Sequence, residues 1–205
     1  MAGIPAGHRR DCGSADGVHL PAAERTGEVG CWIVASIPLG RLGTDSVFWH
    51  LDAFSSLAEA NAEAGPRSVA VESFDRAWLL TVAEADWRSR GRHVATIGPL
   101  PVDARTTYTA RYMEATFIPG MTAPTHTHPG PEAWYTISGE TCLETPAGAV
   151  VGRAGGEPVI VPGGPPMHLT AIGSETRRAL VLVLHDSGQA ATQFTDTWTP
   201  RGLCN

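Results

Sequence analysis

The chain has 205 residues, of which 42% are hydrophobic and 18% charged, enough to build and bury a substantial core. Its formal net charge of −6 argues against non-specific nucleic-acid binding, which needs basic surface to neutralise phosphates, so no nucleic-acid partner is expected. With 23 Gly and 16 Pro and no low-complexity tract, the composition favours short strands and turns over a helical bundle.

Residues 1–29 are rich in Gly, Ala and Pro and lack periodicity, so a loose arm is expected there. No apolar segment follows the arginines of this arm, so it does not read as a signal peptide. "CWIVASI" (31–37) and "SVFWHLDAF" (46–54) are rich in β-branched and aromatic residues and predict strands. "SLAEANAEAG" (56–65) predicts a helix, with Ser at its start and Gly at its stop. "SVAVESFD" and "AWLLTVAEADW" return to strand. Residues 30–92 therefore form an expected strand-rich α+β extension that packs on the following domain or on a dimer partner.

From residue 93 to about 190 the pattern is strand after strand. "HVATIGPL", "YTARYMEATFI", "EAWYTIS", "ETCLET", "EPVIVP", "HLTAIG" and "RALVLVLHD" are separated by Gly- and Pro-rich turns. Such spacing predicts a mainly β, antiparallel sandwich or barrel. Residues 191–205 read as a polar surface tail. The longest aliphatic run, "ALVLVL" at 179–184, is too short to span a bilayer, so no membrane partner and a cytoplasmic location are expected. Cys12, Cys31, Cys142 and Cys204 form no CxxC pair and are expected as free thiols in a reducing compartment. A bridge between Cys31 and Cys204 is the open alternative.

The chemistry concentrates in "HTHPGPE" (126–132). Residues i and i+2 of a strand point the same way, so His126 and His128 can aim two imidazoles into one space. The turn "PGP" restarts the strand at Glu132, and His168 follows the loop "VPGGPPM". Three imidazoles and a carboxylate suit one divalent transition metal, and Fe, Zn, Mn and Ni all remain open. Counting by twos from Glu132 puts Trp134 and Thr136 on the ligand side as candidate pocket residues.

The stretch Gly120–Gly139 resembles the first motif of the cupin superfamily, G-x5-H-x-H-x3-E-x6-G, at every fixed position. Gly156–His168 resembles the second motif, with two departures. One extra residue lies between Gly164 and His168, and Ile172 stands where the family often has Asn. The resemblance covers roughly residues 95–187. It implies a cupin-type antiparallel β-barrel (a double-stranded β-helix or jelly roll) with the metal inside, held by His126, His128, Glu132 and His168.

Three functions fit that barrel: a metal-dependent enzyme acting on a small organic molecule in an oxygenase-type reaction, a redox-neutral cyclase, isomerase or lyase of bacterial secondary metabolism, or a non-catalytic ligand binder. No helix-turn-helix pattern precedes the barrel, which speaks against a DNA-binding regulator. Tyr112 and Glu114 on "ARYMEATFI", and His185 at the end of the last barrel strand, are the catalytic candidates, with Glu114 as general base. The opposite phase of that strand would present Arg111, Met113 and Phe117 instead. Tryptophan-bearing strands suggest a homodimer.

Overall fold

The computed structural model describes residues 29–204. The expected arm, with His8, His19 and Cys12, lies outside the described residues apart from its last position. The elements run β1 (Gly30–Arg41), β2 (Ser46–Phe54), α1 (Leu57–Glu63), β3 (Ser68–Ser73), β4 (Arg76–Ala83), β5 (Arg92–Pro101), β6 (Thr107–Phe117) and β7 (Thr122–Thr127). They continue as β8 (Glu132–Ser138), β9 (Glu140–Thr145), β10 (Gly148–Arg153), β11 (Val159–Val161), β12 (Met167–Ile172), β13 (Arg177–Asp186) and β14 (Gln193–Phe194). Ser56 caps α1 by accepting the Glu59 backbone N–H, as its place ahead of an Ala/Glu run predicts.

The strands form three antiparallel sheets, ordered β1-β6-β13-β8-β11, β10-β9-β12-β7-β14 and β3-β4-β2-β5. The first two face each other as a jelly-roll barrel, and the third covers the outer face of the first. The central sheet is therefore buried on both sides, which is why β13 carries the near-continuous run "ALVLVL". Alternation divides its side chains. Leu180, Leu182 and Leu184 pack outward with Trp49, Trp78 and Leu80. Val181 and Val183 pack inward with Leu143, Met167 and Leu169. Aromatic pairs knit the outer layer, with ring centroids of Trp49 and Tyr112, and of Trp78 and Tyr135, each 6.2 Å apart.

The pairings cross the boundary expected at residue 92. β1 joins the barrel through β6, from Gly30↔Thr116 to Arg41↔Thr107. β5 pairs with β2 and belongs to the outer sheet. A register shift between Ile33 and Ala35 lets β1 serve both cores, with Ile33 facing the barrel interior and Ala35 the outer layer. The extension thus packs on the barrel of its own chain. Trp32, Trp49 and Trp78 of the extension and Trp134 of the barrel are all buried within the chain.

The cysteines correct the free-thiol expectation. Cys142 and Cys204 form a disulfide, and Cys31 is also disulfide-bonded, so none of the described cysteines is a free thiol. The Cys31–Cys204 alternative is likewise overturned. Cys142 lies on β9, and the bridge fastens the chain's end to the barrel. Glu144, two residues on, is buried and accepts the backbone N–H groups of Arg201, Gly202 and Leu203. The tail is held as a strap: β14 adds to the edge of β7 through Gln193↔Thr127. No helix among the described residues is long and apolar enough to cross a membrane.

Candidate metal centre

His126 is the penultimate residue of β7 and Glu132 the first of β8. His128 lies in the turn between them. Two glycines make that turn possible. A Cβ on Gly130 would lie 2.0 Å from the Leu184 carbonyl oxygen, and one on Gly163 would lie 2.5 Å from the Gly130 nitrogen. The Gly164 N–H donates to the His128 carbonyl at 2.9 Å, and the Leu184 N–H to that of Pro131 at 2.9 Å. The two motif loops are therefore locked together beneath the site.

Candidate ligand atoms of His126, His128 and Glu132 lie within 4.8 Å of one another, and all three side chains are buried. The His126 ring places Nδ1 2.6 Å from the Pro124 carbonyl, and the His128 ring places Nδ1 2.6 Å from the Ala191 carbonyl. Only a donor can face a carbonyl, so each Nδ1 carries the proton and each Nε2 keeps its lone pair. His128 Nε2 lies 3.5 Å from Glu132 Oε2, and neither atom has a hydrogen-bond partner among the described residues. Buried, convergent and unsatisfied, these atoms fit a divalent cation.

Burial lowers the His126 pKa below the ordinary imidazole value, against the pull of Glu132. Burial also opposes charge on His128, but the adjacent Glu132 carboxylate outweighs it and the ring lies above its usual value. Burial would raise Glu132; His128 and His126 overcome it and hold the carboxyl low. The carboxylate is therefore kept in its ligating, ionised form.

His168 does not join this group. The inward positions of β12 are Met167 and Leu169, both buried in the barrel core, and His168 between them points away. The extra residue after Gly164 shifts the strand by one position, which moves every side chain to the opposite face. His168 Nδ1 instead lies 3.4 Å from Thr125 Oγ1, and burial lowers its pKa while Glu144 pulls it up.

A cavity of about 20 Å³ opens on the three ligand residues. Trp134 lines it, with Met113, Phe117, Leu169 and Arg177. Thr136 is buried one step further along β8 but is not among the lining residues. On β6 the inward phase is the one containing Met113 and Phe117. Tyr112 and Glu114 face the outer sheet, so neither can reach the cavity, and both are withdrawn as catalytic candidates. Glu114 Oε2 accepts a hydrogen bond from Ser73 Oγ at 2.5 Å, and burial raises the Tyr112 pKa. His185 is on the inner face of β13 but outside the cavity lining; its Nδ1 lies 2.9 Å from the Asp186 carbonyl.

Two contributors escaped the sequence reading. The Ala191 carbonyl that orients His128 comes from a segment read as surface tail. Arg177 carried a usable signal: counting back by twos from His185 along β13 reaches it on the inner face.

No family model and no curated protein matches the chain. Solved structures similar to it include an oxalate oxidase, 23% identical with a TM-score of 0.36 over 42% of this chain and 46% of that one. The DMSP lyase DddQ from Ruegeria pomeroyi DSS-3 is 22% identical, with a TM-score of 0.37 over 45% of each chain. A cupin-like protein from Thermotoga maritima MSB8 is 16% identical, with a TM-score of 0.38 over 42% of this chain and 64% of that one. The match spans less than half the length of the oxalate oxidase, and a likeness of this size does not carry a reaction from one chain to another.

Proposed function

We propose that this chain, a cupin in its fold and its first motif, is a mononuclear metal-dependent enzyme acting on a small organic molecule. The observation that carries the reading is the ligand set: His126 and His128 with their proton-bearing Nδ1 atoms tied to backbone carbonyls, and Glu132 beside them, all buried at one end of a cavity. Two imidazoles and one carboxylate form the set used by non-haem iron(II) oxygenases, which leaves coordination positions open. The turning away of His168 shifts the reading further toward an oxygenase-type reaction than a set of three imidazoles and a carboxylate would. A metal in this site would polarise an oxygen donor of the substrate and, as iron, would activate dioxygen.

The protein's own part is to orient and to dry. The two backbone carbonyls fix the imidazole tautomers, and the Gly130–Gly163 contact holds Glu132 in place. Trp134 and Phe117 wall the cavity with apolar surface, which keeps water from the reacting atoms. A cavity of about 20 Å³ has room for one or two waters, so a substrate enters only as the barrel mouth opens. The disulfide at Cys142 and the bonded Cys31 favour an oxidising compartment over the cytoplasm that the composition suggested.

Elemental analysis of protein purified without added metal tests this reading. Near-stoichiometric iron is the expected result. Zinc, manganese or nickel at that level, persisting after iron supplementation, would replace the oxygenase with Lewis-acid chemistry, and a protein that never holds metal would contradict the whole assignment.

A further inference from the structure

One charged group in the cavity is left over once the ligand set is assigned. Arg177 opens β13, is 1% exposed, and lines the same cavity as His126, His128 and Glu132. Its guanidinium carbon lies 5.5 Å from the Phe117 ring centroid and 5.4 Å from that of Trp134. Two aromatic rings thus hold the plane of the group. Gly139 packs against its backbone so closely that a Cβ there would lie 2.7 Å from the Arg177 Cα. The head group is fixed, yet Nε and Nη2 are buried with no hydrogen-bond partner among the described residues. Burial lowers its pKa to about 10, with Glu132 acting the other way as a nearby negative charge, so the group stays cationic at neutral pH.

A buried cation without a partner is costly, and an apolar side chain of similar size would serve the core better. The two unpaired atoms, Nε and Nη2, form the side-on fork of a guanidinium, which matches the two oxygens of a carboxylate. We propose that Arg177 is the anion-binding half of the substrate site, so that the substrate is a small carboxylic acid. Its carboxylate sits on the Arg177 fork, and its other end faces His126, His128 and Glu132. The narrow cavity favours a flat carboxylate over a tetrahedral phosphate. Only the orientation of the far end rests on the metal reading; the anion site itself does not.

Acetate and acetamide, equal in shape and different in charge, are the probes, with inorganic phosphate as the competing anion. Each is titrated by calorimetry into metal-loaded and chelator-treated protein, and metal content is read separately. Acetate should bind in both forms and more tightly than acetamide, and Arg177→Gln should weaken it about tenfold to a hundredfold with metal content unchanged. Arg177→Lys should recover part of the loss, because it restores the charge without the fork. Acetate that binds no better than acetamide to metal-holding protein would overturn the proposal and leave the metal reading standing. Arg177-dependent acetate binding in a protein that never holds metal would do the reverse. Tighter phosphate than acetate binding would overturn the carboxylate assignment. Arg177→Met separates a structural role: a thermal midpoint at or above wild type is expected, and a lower midpoint with acetate binding intact would overturn the proposal.

Discussion

The central sheet has two faces, and they differ in kind. Its outer face meets the four-stranded sheet through Trp49, Trp78, Tyr112 and Leu182, a core made of large apolar and aromatic side chains. Its inner face meets the second barrel sheet and buries, among apolar neighbours, Glu132 and Arg177. His126 comes to the same space from the second sheet and His128 from the turn. The same strands supply both faces, residue by residue: Tyr112 and Tyr135 outward, Met113 and Trp134 inward. Both sides bury polar atoms, Glu114 against Ser73 on the outer one, but only on the inner side do buried ionisable groups converge on a cavity.

That division predicts opposite consequences for substitutions a few ångströms apart. Trp49→Ala, on the outer side, should cost about 3–5 kcal/mol in denaturant unfolding. The surviving folded fraction should still hold its full complement of metal; a loss of metal per folded chain would show that the two faces are not independent. Cys142→Ser releases the strap behind the inner sheet and should cost about 2–4 kcal/mol. It should also loosen the metal, because the strap carries the Ala191 carbonyl that orients His128. Unchanged metal affinity in that variant would remove the strap from the site.

The faces should also respond together to acid. Burial is the largest influence on His50, His126, His168 and His185, and it lowers the pKa of each below 6.5. The unfolded chain then takes up protons before the folded one does. This stability is complete above 6.5 and is lost as pH falls through the lowered values; His128, raised, works against it. Metal-depleted protein should show a denaturation midpoint that drops as pH falls below about 6.5. A flat midpoint would contradict the burial of these rings. The smallest expected effect is that of His168→Ala, a change of about 0.5 kcal/mol or less with metal content intact.

How much of this was legible in the sequence depended on the face. β8 could be phased because Glu132 anchors the count, so Trp134 and Thr136 fall on the inner side and Tyr135 on the outer. β6 could not. Both of its faces are buried, its apolar residues do not alternate with polar ones, and Tyr112 and Glu114 proved to face the outer sheet. The spacing of His126, His128 and Glu132 was visible because a strand, a turn and a strand fix it locally. The place of His168 depended on a single inserted residue, whose effect on strand phase becomes visible only when β12 is paired with β7 and β9. The disulfide was invisible for a related reason: Cys142 and Cys204 are 62 residues apart and meet only because the tail returns to β9.

The most direct test of the central claim is metal stoichiometry across three variants purified in parallel with wild type: His126→Ala, His128→Ala and His168→Ala. The first two should fold with native strand content and hold almost no metal, while the third holds as much as wild type. Loss of metal in His168→Ala alongside retention in either of the others would contradict the claim.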